Sequence, residues 1–248
     1  MKSIVQCITN NVTINDCANA VLAVGASPIM AHHISEVEEV QSFSKALLLN
    51  LGATDDYDAM KVALMAASNL GHPVVLDPVG VSGISFRRKF ALELLSQKGI
   101  TCIRGNYNEI RAIMENQAIA AGLDYDKNNN GTNSISMLAD CMKQYARENH
   151  IILAASGETD IVTDGCEVAY VESGDAMMSS ITGSGCMASA VIASMLARDN
   201  SMKSVVSAMK EYGDCGSRAA DLTRKEGRGI GMFHQLFLDE LSLANWDK

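Results

Sequence analysis

The sequence has no long uninterrupted apolar run, no closely spaced cysteine pair and no excess of basic residues. No apolar stretch reaches the roughly 18 uncharged residues of a membrane span, and the amino-terminal segment lacks the apolar core of a secretion signal. The seven cysteines include no C-x-x-C pair, which argues against a zinc site or a disulfide framework. We therefore expect a cytoplasmic protein without a membrane segment, whose thiols are mostly reduced and buried.

Acidic residues outnumber basic ones, 29 to 20, and give a formal net charge of −9. This charge argues against nucleic acid or an anionic membrane surface as a partner. A small anionic ligand is compatible with it, because backbone amides and one or two basic side chains can hold such a ligand locally. The densest basic run, residues 86–90, is interpreted as the solvated face of a helix.

Short apolar segments alternate with longer helical patterns along the 248 residues, and no linker or internal repeat divides them. This alternation predicts one domain, residues 1–248, of the α/β class, with a mostly parallel sheet covered by helices on both faces. A polar surface loop is expected at 116–133 and a β-hairpin at 160–172. Parallel strands are predicted at 3–8, 46–52, 73–78, 100–105 and 151–156.

Charged side chains follow two of the predicted strands, at the edge of the sheet where ligands of such folds bind. Asp77 lies in "LDPVG", and Arg104 and Glu109 lie in "CIRGNYNEI". A carboxylate at Asp77 could bind Mg²⁺, and arginine suits phosphate. Taken alone, Asp77 is better interpreted as an acid that caps the next helix, and the alternatives for Glu109 and Arg104 are a glutamate that stabilises a helix dipole and a surface arginine. Together the three residues favour a site more than any one of them does.

The segment "ITGSGCMASAVIASM", residues 181–195, places two glycines just before a helix-like apolar run. Backbone amides at a helix start form an anion site, and glycines let the ligand approach closely. The alternative is a tight turn that only lets the helix pack. Cys186, at this junction, could be a packed residue, a redox thiol, a metal ligand or a catalytic group. No partner residue lies at the spacing that a redox pair or a metal site requires, so the sequence does not support a redox thiol or a metal ligand.

Two further features in the first forty residues allow more than one interpretation. Met30 ends "GASPIM", and a methionine on a loop suits a flat apolar or aromatic ligand, although with 14 methionines core packing is an equal alternative. His32 and His33 are adjacent, and adjacent side chains do not face one way on a helix. We interpret them as surface or loop residues rather than as a metal pair.

These fragments, in this order and over nearly the whole chain, resemble the hydroxyethylthiazole kinase family of the ribokinase-like superfamily. The resemblance is carried by "QCITNNVTINDCANAVLAVGASPIM", "LLLNLG", "PVVLDPVG", "CIRGNYNEI", "ITGSGC" and "FLDEL". It implies a ribokinase-like three-layer α/β/α fold. The implied reaction is ATP-dependent phosphorylation of the primary alcohol of 4-methyl-5-(2-hydroxyethyl)thiazole in thiamine salvage. The resemblance also implies Mg²⁺ and a homotrimer with active sites at the subunit interfaces.

The resemblance also assigns substrate contacts by matching positions. Met30 and Gly183 would contact the thiazole alcohol. Arg104 and Ser156 would contact ATP, and Ser156 stands where the family commonly has threonine, which preserves the hydroxyl. Tyr107 stands where the family usually has a small residue.

The same matching implies the metal and catalytic positions. Asp77 and Glu109 would lie near Mg²⁺, directly or through water or phosphate. Cys186 would replace the aspartate base of most ribokinase-like enzymes. A thiolate is the active form of such a base, and a helix N-terminus lowers a thiol pKa whereas an adjacent phosphate opposes this. We therefore expect Cys186 to assist, with Mg²⁺ and the loop amides carrying more of the catalysis. The loop residues are Gly183, Ser184 and Gly185.

Two other functions remain open. One is a different ribokinase-like enzyme, such as a hydroxymethylpyrimidine kinase or a nicotinamide-hydrate dehydratase, which would usually carry aspartate at the position of Cys186. The other is a non-catalytic protein that binds a nucleotide or a thiazole. The presence of Asp77, Arg104, Glu109 and Gly183 together argues against it.

Overall fold

The structure, a computed structural model, describes residues 2–115 and 132–246. The strands are β1 Ile4–Ile8, β2 Ser27–Ile29, β3 Ala46–Asn50, β4 Val74–Asp77, β5 Cys102–Asn106, β6 Ile152–Ser156, β7 Asp160–Thr163 and β8 Val168–Val171. The helices are α1 Ile14–Ala23, α2 Val37–Phe43, α3 Tyr57–Leu70, α4 Ser85–Ser96, α5 Tyr107–Met114, α6 Thr132–Asn149, α7 Ser184–Leu196, α8 Met202–Lys225 and α9 Ile230–Leu243. Short 3₁₀ turns lie at Thr54–Asp56 and Ala176–Ser180.

The strands form one sheet in the order β2-β1-β3-β4-β5-β6-β7-β8 across the described ranges. β1 to β6 are parallel, while β7 and β8 continue the sheet in antiparallel pairs. The predicted hairpin is therefore confirmed. Parallel pairing suits these strands because their side chains are apolar on both sides, as in the fully buried β3.

Alternate residues of the central strand β3 enter two separate hydrophobic cores. Leu48 packs with α1, α7, α8 and α9, whereas Leu47 and Leu49 pack with α3 and its neighbours on the other face. A side-chain period of two therefore divides one apolar strand between two helical layers. The predicted three-layer α/β/α fold is confirmed.

Two sequence predictions on the chain's organisation have other outcomes. The segment that ends at Met30 was expected to be a loop, but Ser27–Ile29 pairs parallel with β1 at the edge of the sheet. Three residues are too few to show a strand period, and Pro28 is tolerated because the strand lies at an edge. The predicted surface loop at 116–133 lies almost wholly outside the described residues.

None of the helices described is both long and apolar enough to span a bilayer.

The strand order places an opening between the carboxyl ends of β1 and β3. The chain passes from β1 to β2 on one side and returns to β3 on the other, so the connections diverge between β1 and β3. Such a switch point leaves a crevice outside the strand ends. Asn10 follows β1 and Asn50 ends β3, which brings both side chains to this crevice.

Candidate active site

A cavity of about 710 Å³ opens at the carboxyl ends of β5 and β6. Its polar lining includes Arg104, Ser156 and the first turn of α7, and its apolar lining comes mainly from α7 and α8, with Met209 and Tyr212 among them. A volume of this size, with apolar walls and a few polar groups, is typical of small-molecule sites.

Arg104 joins three elements at one side of this cavity. Its Nη1 donates to the carbonyl oxygen of Gly185 at 2.7 Å, and its Nη2 donates to Oγ of Ser156 at 2.6 Å. The buried Nε has no partner within the described part of the chain. The structure thus brings together the two residues predicted to contact ATP and fixes both against the first turn of α7.

The loop that enters α7 exposes a row of backbone amides. Gly183 caps the helix with φ +85°, a left-handed conformation that favours glycine. No acceptor in residues 2–115 or 132–246 bonds the N–H groups of Ser184, Gly185 or Cys186. Free amides at a helix N-terminus attract an anion, because the helix dipole adds to their partial charges. The predicted anion loop therefore has the required geometry.

Cys186 belongs to a buried polar cluster behind this loop. Asn50, with 0% exposure, donates from Nδ2 to Oδ2 of Asp77 at 2.9 Å and to Sγ of Cys186 at 3.2 Å. Asn10 donates to the same sulfur at 3.5 Å and to Oδ1 of Asn50 at 3.2 Å. Ser189, on the next turn of α7, donates to Oδ2 of Asp77 at 2.9 Å. The cluster links the ends of β3 and β4 to α7.

Burial controls the ionisation of both acidic members of this cluster. It raises the pKa of Asp77 to about 7, with the negative charge of Glu109 adding to the increase and Arg104 opposing it. Burial also raises the pKa of the Cys186 thiol, and the Asp77 carboxylate raises it further, while hydrogen bonds from Thr13, Asn50 and Asn10 lower it. The expected lowering at a helix N-terminus is thus outweighed by burial.

Glu109 shapes the neighbouring turn through both carboxylate oxygens. Oε1 accepts the N–H of Gly80 at 2.8 Å, and Oε2 accepts the N–H of Asn106 at 2.9 Å in a capping box at the start of α5. The basic run at 86–90 supports the same turn, because Arg87 and Arg88 donate to backbone carbonyls at 79–82. The interpretation of that run as a purely solvated face is therefore wrong for these two arginines.

Met30 lies apart from the cavity, just after the edge strand β2. Its side chain is partly buried against the core that contains α7, and its carbonyl oxygen accepts a hydrogen bond from His32 Nδ1 at 3.0 Å. Both His32 and His33 are exposed, as predicted. Among the described residues, no group of three or more histidine, cysteine or acidic side chains forms a metal cluster.

Sequence analysis did not single out Asn10, Asn50 or Ser189. A signal existed for two of them, since Asn10 follows "QCIT" and Asn50 interrupts the apolar run "LLLNLG" at a strand end. A fully buried polar residue at that edge requires partners, and here the partners are the predicted site residues. Ser189 carried no such signal, because small residues are common throughout its helix.

Comparisons with known proteins agree with this geometry. A model of the hydroxyethylthiazole kinase family matches residues 1–245. A hydroxyethylthiazole kinase of Listeria monocytogenes serotype 4a is 42% identical over 98% of this chain and 88% of its own length. One from Methanobrevibacter smithii is 38% identical over 95% of this chain and 85% of its own. A solved hydroxyethylthiazole kinase structure from Pyrococcus horikoshii OT3 superposes with a TM-score of 0.85, at 32% identity, covering 98% of this chain and 89% of that one.

Proposed function

Because this chain belongs to the hydroxyethylthiazole kinase family, we propose that the cavity beside Arg104 and the polar cluster around Cys186 are two parts of one active site. The enzyme catalyses ATP-dependent phosphorylation of hydroxyethylthiazole in thiamine salvage. One observation carries the assignment of the site. The amides of Ser184, Gly185 and Cys186, which bond no acceptor in the described residues, belong to the turn that Arg104 bonds at the Gly185 carbonyl and that carries the Cys186 sulfur of the buried cluster, and a phosphoryl group in transfer would need them there.

The cavity of about 710 Å³ is where we place ATP. The Arg104 guanidinium and the Ser156 hydroxyl offer a positive charge and a hydrogen-bonding group to its phosphates, next to the amides of Ser184 and Gly185. Apolar side chains such as Met209 supply a surface for the flat base. Tyr107 supports the same wall, because its hydroxyl donates to the carbonyl of Thr159 and its ring lies against Gly157.

The carboxylates near the loop fit a Mg²⁺ ion. Within residues 2–115 and 132–246, both side-chain hydrogen bonds to Asp77 reach Oδ2, so Oδ1 is free to face a cation, and Mg²⁺ is commonly held by one or two carboxylates together with substrate phosphates and water. Glu109, whose two oxygens already accept backbone N–H groups, would reach the ion through water. The bound ion would neutralise phosphate charge, which is the chemistry that phosphoryl transfer requires.

Cys186 is our candidate for the general base. Its sulfur would take the proton of the substrate hydroxyl as the oxygen's electron pair attacks the γ-phosphorus and ADP leaves with the electron pair of the broken P–O bond. Because the thiol pKa is raised, little of the sulfur is present at neutral pH as thiolate, the active form of the base. Positioning by the loop amides and Arg104 therefore accounts for more of the rate than proton removal does.

The thiazole alcohol would contact Met30 and the backbone of Gly183. A homotrimer with its active sites between subunits would complete this side of the site. Exposed apolar side chains on the loops after β1 and β2, Val12 at 74% and Ile34 at 49%, support an interface near Met30. Sedimentation velocity at several protein concentrations tests this assembly, and a monomer at all of them would contradict it.

Two broader properties are part of the same proposal. The chain acts as a single domain, residues 1–248, which is supported by the two helical layers that share one sheet. The enzyme is cytoplasmic, which is supported by the free thiols of all seven cysteines, since reduced thiols persist in reducing compartments.

The decisive experiment compares acceptor alcohols. Turnover of ATP is measured with the thiazole alcohol, with a hydroxymethylpyrimidine and with pyridoxal, at equal concentrations and with Mg²⁺ present. We expect kcat/KM to be highest for the thiazole alcohol. Preference for the pyrimidine or pyridoxal alcohol would contradict the assignment, and binding without turnover would identify a non-catalytic binding protein.

A further inference from the structure

The Asn50 side chain makes all four of the hydrogen bonds that an amide can make. Its Oδ1 accepts from Asn10 Nδ2 at 3.2 Å and from the N–H of Gly52 at 2.9 Å, while its Nδ2 donates to Asp77 and Cys186. Asn50 and Asp77 are register partners at the ends of the parallel strands β3 and β4. The residue is fully buried, so it reaches neither solvent nor a bound substrate.

The orientation of this amide is fixed by its neighbours. The Gly52 N–H can only donate, so the oxygen of Asn50 must face it, and the NH₂ group must then face Asp77 and Cys186. The following turn is shaped around this arrangement, because a Cβ at Gly52 would lie 2.9 Å from both Oδ1 of Asn50 and Cβ of Asn10. Each hydrogen of the NH₂ group therefore serves a different reacting side chain.

We propose that Asn50 is a positioning residue for phosphoryl transfer, which fixes the Cys186 sulfur and the Asp77 carboxylate relative to each other and presents both as hydrogen-bond acceptors. The inference rests on the proposed roles of those two residues. The Nδ2 atoms of Asn50 and Asn10 both donate to the Cys186 sulfur, so the hydrogen of a neutral thiol points away from both amides. Ser189 gives Asp77 Oδ2 its second donor, so the free Oδ1 is the oxygen left to face a ligand.

Asn50→Asp tests this role with almost no change in size. It retains an oxygen toward Gly52 and Asn10, but a carboxyl group has at most one hydrogen on its other side and can serve Asp77 or Cys186, not both. We expect kcat to fall about tenfold or more. The whole contribution of a general base, roughly 10²–10⁴-fold, is the upper limit of this loss. KM for the thiazole alcohol should not change, because Asn50 is buried beneath the site.

Two companion variants separate the two partners of Asn50. Ser189→Ala removes the hydrogen bond from Ser189 to Asp77 and leaves the amide contacts of the Cys186 sulfur in place. Its loss of kcat therefore measures how much of the effect of Asn50→Asp acts through Asp77. In a Cys186→Ala background, the kcat loss caused by Asn50→Asp should shrink to that of Ser189→Ala. An equal fold-loss in both backgrounds, or unchanged kcat in Asn50→Asp alone, would overturn the inference.

A failure of the underlying site assignment gives a different result. If Cys186→Ala has wild-type kcat, the base assignment is wrong; if it loses activity while Asn50→Asp does not, only the role of Asn50 is wrong. Urea unfolding of the metal-free proteins adds a readout independent of activity. The midpoint shifts of Asn50→Asp and Cys186→Ala should be non-additive, as expected for residues in contact, and additive shifts would contradict the coupling. Should Asn50→Asp not fold, Asn10→Asp alters the same sulfur from a less buried position and should show the same dependence on Cys186.

Discussion

Replacing Gly183 by alanine should damage both activity and stability. The residue has φ +85°, and a Cβ there would lie 2.8 Å from Cγ2 and 3.2 Å from Cβ of Thr13. Thr13 is buried at the start of α1, so its own position is restrained. The added methyl group would therefore move the loop rather than its neighbour, and with the loop the amides that we assign to the phosphoryl group.

The stability cost follows from two separate contributions. A left-handed conformation costs an L-residue roughly 1–2 kcal/mol. Crowding of a packed site adds typically about 1–3 kcal/mol. We therefore expect Gly183→Ala to lose about 2–5 kcal/mol in the free energy of unfolding. A displacement of about 1 Å in an active site can cost on the order of 10²-fold in rate, so kcat should fall by up to that factor in the folded variant.

Gly71 provides the matched control for this prediction. It has φ +68° after α3, but apart from its chain neighbours no atom of the described residues lies within 4 Å of where its Cβ would be. Gly71→Ala should therefore show only the backbone cost, roughly 1–2 kcal/mol, with normal kinetics. Urea unfolding and steady-state kinetics of both variants are compared under the same conditions. Wild-type kcat and KM in Gly183→Ala would refute the placement of the loop at the reacting groups.

Three further predictions address the other site residues. Cys186→Asp should retain or increase kcat, because a carboxyl group ionises at lower pH than a thiol in the same surroundings, whereas Cys186→Ala should leave a reduced remainder; wild-type turnover by the alanine variant would remove the base role. Arg104→Lys should raise KM for ATP about tenfold, because lysine cannot bond Gly185 and Ser156 together; an unchanged KM in ATP titrations would contradict the ATP contact. Burial raises the pKa of the Asp77 carboxyl from 3.8 to about 7, so the folded protein binds a proton there more tightly than the unfolded chain does. The stability that this proton contributes is therefore lost as pH rises from about 4 to 7. Urea unfolding of the metal-free protein should show this loss, and Asp77→Asn should remove it; an equal slope in the variant would contradict the assignment to Asp77.

The sequence predicted most of the fold because its strongest signals are local. Continuous apolar segments such as 46–52 predict buried parallel strands, and the glycine turns between them mark helix ends. The edge strand Ser27–Ile29 was missed because three residues show no period and one of them is Pro28. Its pairing depends on β1, whose paired residues lie 23 positions earlier in the chain, which no local pattern reveals.

The predicted site residues fall into two groups in the structure. Arg104 and Ser156, both near strand ends, meet through a hydrogen bond, and Asp77 at a strand end meets Cys186 in the first turn of α7 through a shared partner. That shared partner could not be derived, because Asn50 acquires its role only when β3, β4 and α7 come together. Its polarity inside an apolar strand shows that it needs partners but does not identify them.

In the proposed site, the contacts of Cys186 explain how a thiol would act beside a phosphate. Burial and the Asp77 charge both favour the neutral thiol, while the amides of Asn10 and Asn50 favour an ionised sulfur by donating to it. These opposing effects leave a sulfur that would add little negative charge near the proposed ATP site yet still presents lone pairs toward its donors. A carboxylate in the same place would be ionised to a larger extent than the thiol, although it is a weaker base than a thiolate, and it would add charge next to Asp77. The Asn50 amide, which donates to both positions, would then have to stabilise two neighbouring anions, so the consequence of Cys186→Asp should depend on Asn50 far more than the wild-type activity does.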